Sequence, residues 1–251
     1  TGLKIAARTG KTSLAELRAA TASQLLLISS NAMELTETVV DGWVFTEQIF
    51  ETFEQGKQHD VPLIVGFNSG EGTHLPSYGS QWMPVIPSDP ASYIAKVRAR
   101  YGSLTEDYLA IYPLSDRREA QFGPIRDGTY GWAAERFARM TGKMKSKAYL
   151  YYFDYSFPWA EKMGLAAFHG SDNLFVLNNV KHNIRLVNWP DYSASAADIK
   201  ASNIISDYWV AFAKKGAPDV EGQAEWQDYT EQTRHYMAFK KGGFRPSINL
   251  R

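Results

Sequence analysis

The chain has 251 residues, with 27 Lys and Arg balanced by 27 Asp and Glu, and it contains no cysteine. That length suffices for one domain with a sizeable core, and the even charge excludes a broad basic surface for nucleic acid, so small-molecule partners are expected. The missing cysteines exclude disulfides, thiolate metal sites and a cysteine nucleophile, while leaving open both a reducing and an oxidising compartment.

Ser13 and Glu16 form an S-x-x-E pattern that predicts a capped helix running to about Leu27. In Val39-Val40-Asp41-Gly42-Trp43-Val44, Asp-Gly between β-formers predicts a small hairpin or strand corner. From Thr46 to Gln55 the apolar positions Ile49, Phe50 and Phe53 recur at helical spacing, with Gly56 as the stop. Val61 to Phe67 is almost wholly apolar, as a parallel strand covered on both faces would be, and it breaks into a polar, glycine-rich loop carrying Glu71. Residues 75–142 read as a helical insertion, with helices over Pro90–Tyr101, Thr105–Tyr112 and Asp127–Met140. Lys147 to Tyr155, KAYLYYFDY, is dense in β-favouring aromatics and predicts a second buried strand before His169. A long helix follows over Ala196–Lys215, ended by Gly216, and a short strand over Tyr236–Phe239. The longest apolar runs, LLLIS from Leu25 and VPLIVGF from Val61, fall short of the roughly 20 residues of a membrane helix, so a soluble chain without a membrane span is expected. Cytoplasmic and secreted locations both fit that reading.

Two short motifs carry chemistry: NSGEG, with Glu71, and FHG, with His169 some 98 residues later. A carboxylate that accepts the far N–H of a histidine fixes its tautomer and stabilises its charged form, which suits Glu71 to orient His169 as a general base. Taken singly, an acidic residue in a glycine-rich turn is ordinary turn chemistry. Among the remaining histidines, His59, His182 and His235 read as surface or locally hydrogen-bonded residues, whereas His74, three positions after Glu71, could face a pocket. No H-E-x-x-H pattern supports zinc. The aromatics of KAYLYYFDY and the Tyr208, Trp209, Phe212 series read as packed core rather than stacking platforms.

In their order, these segments resemble the type-B carboxylesterase and cholinesterase family. VPLIVGFNSGEGT is similar to its strand and acid turn, KAYLYYFDY to the strand before its histidine, FHGSD to its histidine motif, and DYWVAFAKKGAPD with Trp226 and Tyr229 to its C-terminal helix and turn. LAELRAATASQLL and VVDGWVF are similar to segments preceding the acid turn. The resemblance departs where the family often has Gly three residues before the histidine and Glu-Leu or Glu-Ile after His-Gly-x; here those places hold Ala166, Asp172 and Asn173.

The resemblance implies an α/β fold, the C-terminal portion of an α/β-hydrolase: residues 1–251 as part of one domain, with a mostly parallel sheet, flanking helices and a cap-like insertion at about 75–142. It implies a carboxylic ester hydrolase using a Ser-His-Glu triad and an acyl-enzyme, without metal or organic cofactor. Glu71 and His169 would be its catalytic residues, and Phe168 and His74 would contact an ester substrate. The nucleophile itself should lie on a G-x-S-x-G turn upstream of the acid. None is present: Ser13, Ser23, Ser29, Ser30 and Ser69 all lack the flanking glycines, and GFNSG centres on Asn68. The serine is therefore expected on an N-terminal half outside this chain, which would be the partner of its exposed strands, and the chain alone would be inactive. The alternative is a cholinesterase-like binding or adhesion module that does not catalyse.

Overall fold

The computed structural model describes residues 2–26, 39–78, 86–182 and 193–249. Its contacts fall into two units, Thr1–Thr52 and Phe53–Arg251.

The first unit begins with α1 (Gly2–Thr9), which sequence reading missed, and α2 (Leu14–Ala19). The Ser13 capping box forms as predicted: the Glu16 N–H donates to Ser13 Oγ, and Glu16 accepts from the Ser13 N–H at 3.0 Å. The helix does not reach Leu27. Ala20 is extended, and a second box restarts the chain, with the Thr21 N–H donating to Gln24 Oε1 at 3.0 Å and the Gln24 N–H to Thr21 Oγ1 at 3.3 Å. The Ser13 box alone does not reveal that second start signal, and Leu27 lies outside the described residues. The hairpin read at Val39–Val44 is a turn without strands. Asp41 Oδ1 accepts the N–H groups of Trp43, Val44 and Phe45, so one carboxylate satisfies donors that a ladder would have used. Helix α3 (Ile49–Glu54) forms within its predicted span, and Gly56 ends it at φ +66°.

The second unit is built on a sheet of order β1-β2-β3-β4: β1 (Leu63–Asn68), β2 (Ala148–Asp154) and β3 (His235–Lys240) run parallel, and β4 (Gly243–Ile248) returns antiparallel. The first three were predicted. β4 was not, because its sequence, GFRPSI, is polar and holds Pro246, which only an edge strand tolerates.

Between β1 and β2 lie α4 (Pro90–Tyr101), α5 (Thr105–Ile111), α6 (Arg117–Ile125), a π-helical turn (Arg126–Gly131) and α7 (Trp132–Thr141). The predicted helix over Asp127–Met140 thus has its first part in the wider π turn. α6 escaped prediction because Pro124 falls inside it and offers no N–H to the preceding turn. Beyond β2 come α8 (Pro158–Lys162), α9 (Asp172–Val176) and α10 (Ala196–Lys215), the last with its predicted bounds and with Gly216 left-handed at φ +72°.

Alternation along β2 fills two cores. Tyr149 and Phe153 join Ile205 and Tyr208 of α10, Trp226, Met237 and Phe239 on one face. Leu150 meets Phe67 and the alanines Ala134 and Ala138 of α7 on the other. Each large side chain fully buried here contributes about 1.5–3 kcal/mol. Both faces of β2 are thereby covered, which explains its nearly continuous apolar sequence. Register matters for the site: Asn68 pairs with Phe153, so β1 and β2 end side by side and release their loops at the same end of the sheet. Gly66 makes this pairing possible, because a Cβ there would lie 2.3 Å from the Tyr151 ring that crosses it.

Candidate active site

Beyond β1 the backbone turns tightly through Asn68-Ser69-Gly70-Glu71. The Ser69 N–H still donates to the Phe153 carbonyl at 2.9 Å, after which the Gly70 N–H donates to the Ala167 carbonyl at 2.9 Å. Gly70 and Phe168 form an isolated parallel bridge, so the sheet is extended by one residue pair at the point where the two loops meet. Only glycine fits: a Cβ on Gly70 would lie 2.2 Å from the Leu165 carbonyl oxygen. The Thr73 hydroxyl adds a second tie, within hydrogen-bonding reach of the carbonyls of Gly70 at 2.6 Å and Leu165 at 2.9 Å.

This stitching brings Glu71 and His169 together across 98 residues, with His169 Nδ1 at 2.7 Å from Glu71 Oε2. A carboxylate can only accept, so the proton on this bond belongs to Nδ1, and Nε2 is the nitrogen left to exchange protons. Glu71 is buried, with its side chain 5% exposed, whereas the His169 side chain is 50% exposed. The imidazole is therefore anchored on a buried carboxylate and half open to solvent. Its pKa is raised from the ordinary 6.5, first by the hydrogen bond to Glu71, against the opposing effect of burial, and further by the charges of Glu71 and Asp172.

Two more rings border His169. His74 stacks on it with centroids 5.1 Å apart and planes at 21°, and Tyr130, from the π turn, sits at 5.2 Å. The pKa of His74 is lowered by burial and then by the charge of His169, so as pH falls His169 takes up its proton before His74 does. Phe168, read from sequence as substrate-contacting, turns its ring into the core against Trp159 and is 5% exposed. What it presents at the site is its carbonyl, which accepts from Asn68 Nδ2 at 3.0 Å.

Asn68 links both loops. Its backbone N–H donates to Glu71 Oε1 at 3.3 Å, and its side-chain amide also donates to Asp172 Oδ1 at 3.0 Å. Asp172 Oδ2 in turn accepts from the Tyr151 hydroxyl at 3.0 Å. Burial and then the Asp172 charge hold the Tyr151 phenol well above its usual pKa, so it remains a donor. Sequence reading did not place Asn68, Tyr151, Asp172 or Tyr130 in the site. Asp172 was visible only as a departure from a motif, and Tyr130 carried no signal inside a helical stretch.

A cavity of about 420 Å³ lies on the other side of β2, among Phe67, Trp132, Tyr152 and Lys240, and neither Glu71 nor His169 lines it. Among the described residues no three His, Asp or Glu side chains converge as a metal-ligand set, and no helix is long and apolar enough to cross a membrane.

The carboxylesterase family model matches residues 6–249. Among curated relatives, the fumonisin B1 esterase of Sphingopyxis macrogoltabida is 23% identical over 90% of this chain and 42% of its own, and carboxylesterase 1C of Mus musculus is 25% identical over 86% and 41%. A crystal structure of a Geobacillus stearothermophilus carboxylesterase superposes with a TM-score of 0.76 at 18% identity, covering 97% of this chain and 50% of that one. A structure titled thermophylic PNB esterase superposes at 0.69, with 20% identity and the same coverage. The chain thus spans about two fifths to one half of the proteins it matches.

Proposed function

Because the chain belongs to the carboxylesterase family and forms part of an α/β-hydrolase fold, we propose that it is the C-terminal part of a carboxylic ester hydrolase whose serine nucleophile lies elsewhere in the complete protein. The observation that carries this reading is the 2.7 Å contact between His169 Nδ1 and the buried Glu71 carboxylate, with the other face of the imidazole half open.

In this reading the serine hydroxyl attacks the ester carbonyl while His169 Nε2 takes its proton. The imidazolium that forms is stabilised through Nδ1–H by Glu71. His169 then returns the proton to the departing alkoxide, leaving an acyl-serine. Water attacks that ester in the same way, with His169 again as base, and releases the acid. Neutral His74, stacked on His169, and Tyr130 border the space for the alcohol or acyl group, and Phe168 supports the histidine loop from beneath. None of these steps calls for a cofactor.

The sheet edges support a partner half. β4 is guarded by Arg245 and Pro246, but the outer edge of β1, LIVGFN, bears no charge or proline, and among the described strands it pairs only with β2. We propose that the N-terminal half of the same protein pairs there, and that the whole of 1–251 belongs to one hydrolase domain with the helices from about 75 to 142 as its insertion.

Labelling of the full-length protein with a fluorophosphonate, which captures activated serines, tests the reading. Labelling is expected in the wild type and lost in His169→Ala, with none of this chain labelled when expressed alone. A full-length protein that does not label would favour a binding or adhesion role instead.

A further inference from the structure

We propose that Asp172 is a positioning residue of this site: through Asn68 it locks the His169 loop to the Glu71 turn. The proposal rests on the reading of His169 as the base.

Three observations converge on it. Asn68 Nδ2 gives its two hydrogens to two acceptors, the Phe168 carbonyl and Asp172 Oδ1, each at 3.0 Å, so the orientation of the amide is fixed by its partners. The same residue donates its backbone N–H to Glu71 Oε1 at 3.3 Å. One asparagine, 1% exposed, therefore holds both carboxylates of the site in fixed relation. Finally, Tyr151 Oη donates to Asp172 Oδ2 at 3.0 Å, and its ring reaches that point only because Gly66 leaves β1 bare where the ring crosses.

Both oxygens of Asp172 are thus held by neutral donors, which orient it without cancelling its charge. That charge reaches His169, three residues earlier in the same loop, where it acts in the same direction as Glu71. Among the described residues, His74, which takes up a proton only after His169, and the phenol of Tyr130 also face His169. Glu71 is directly bonded to Nδ1; Asp172 acts through the backbone and through its field. Their removal should therefore differ in kind.

The test is the rate of fluorophosphonate labelling of the full-length protein as a function of pH, for wild type, Asp172→Ala, Asp172→Asn and His169→Ala. Asp172→Ala removes lock and charge together, and labelling should slow about 10²-fold, as misplacement of a base by about 1 Å does. Asp172→Asn keeps an acceptor for Asn68, loses the charge, and faces Tyr151 with an amide NH2 from which the phenol oxygen can accept in place of donating. It should recover most of the rate while its acid limb moves to lower pH. An Asp172→Asn profile that overlays the wild type, or an Asp172→Ala rate equal to it, overturns the proposal. Retention of labelling in His169→Ala would overturn the underlying assignment of the base instead, so the two failures are distinguishable. Should Asp172→Ala not fold, the profile of the near-isosteric Asp172→Asn still decides.

Discussion

At the scale of single residues, the site combines one strong hydrogen bond with local backbone strain. Ala166 sits at φ +52°, in the left-handed region, at the position where the resembling family often has glycine. A side chain there costs about 1–2 kcal/mol, part of which glycine would return as extra freedom in the unfolded chain. Ala166→Gly should therefore raise stability by about 0.5–1 kcal/mol, read as a higher Tm, without moving the pH profile. Glu71→Gln removes the carboxylate that raises the His169 pKa, so the acid limb of labelling should move to lower pH while the rate falls by about 10²–10⁴-fold. The sign for stability follows from the same shift. A histidine raised above 6.5 on folding contributes stability that is fully present below that pH and fades as pH rises through the raised value. The wild type should accordingly lose slightly more stability than Glu71→Gln between pH 6 and about 8, measured by urea midpoints.

At the scale of elements, the strands of the sheet depend on close backbone packing at one position. Gly66→Ala would place a methyl group 2.3 Å from the Tyr151 ring, so β1 and β2 must separate or the ring must leave Asp172. A loss of about 2–3 kcal/mol is expected in a denaturant melt, with slower labelling as well. Those elements whose signal is local were legible in the sequence: the Ser13 box, α10 between Ser195 and Gly216, and the apolar runs of β1 and β2. What was not legible depended on tertiary context. β4 is a strand because β3 offers it an edge, α6 continues through Pro124 into a π turn, and the Val39–Val44 segment turns on Asp41 instead of pairing. The same holds in the site. Glu71 and His169 could be read from their motifs, but Asn68, Tyr151, Asp172 and Tyr130 are brought there by strand register and helix packing, which no short motif encodes.

At the scale of the molecule, the two sheet edges differ in a way that predicts behaviour. The bare edge of β1 should make this chain, expressed alone, self-associate in size-exclusion chromatography, and co-expression with the N-terminal half should both suppress association and restore labelling. The crossover between β1 and β2 adds a consequence of timing. Parallel neighbours cannot be joined by a hairpin, so the contact of Glu71 with His169 closes a long loop, one that folding is expected to complete late. An imidazole that has not met Glu71 should titrate as it would in a peptide, so a raised His169 midpoint in a titration would certify that folding is complete.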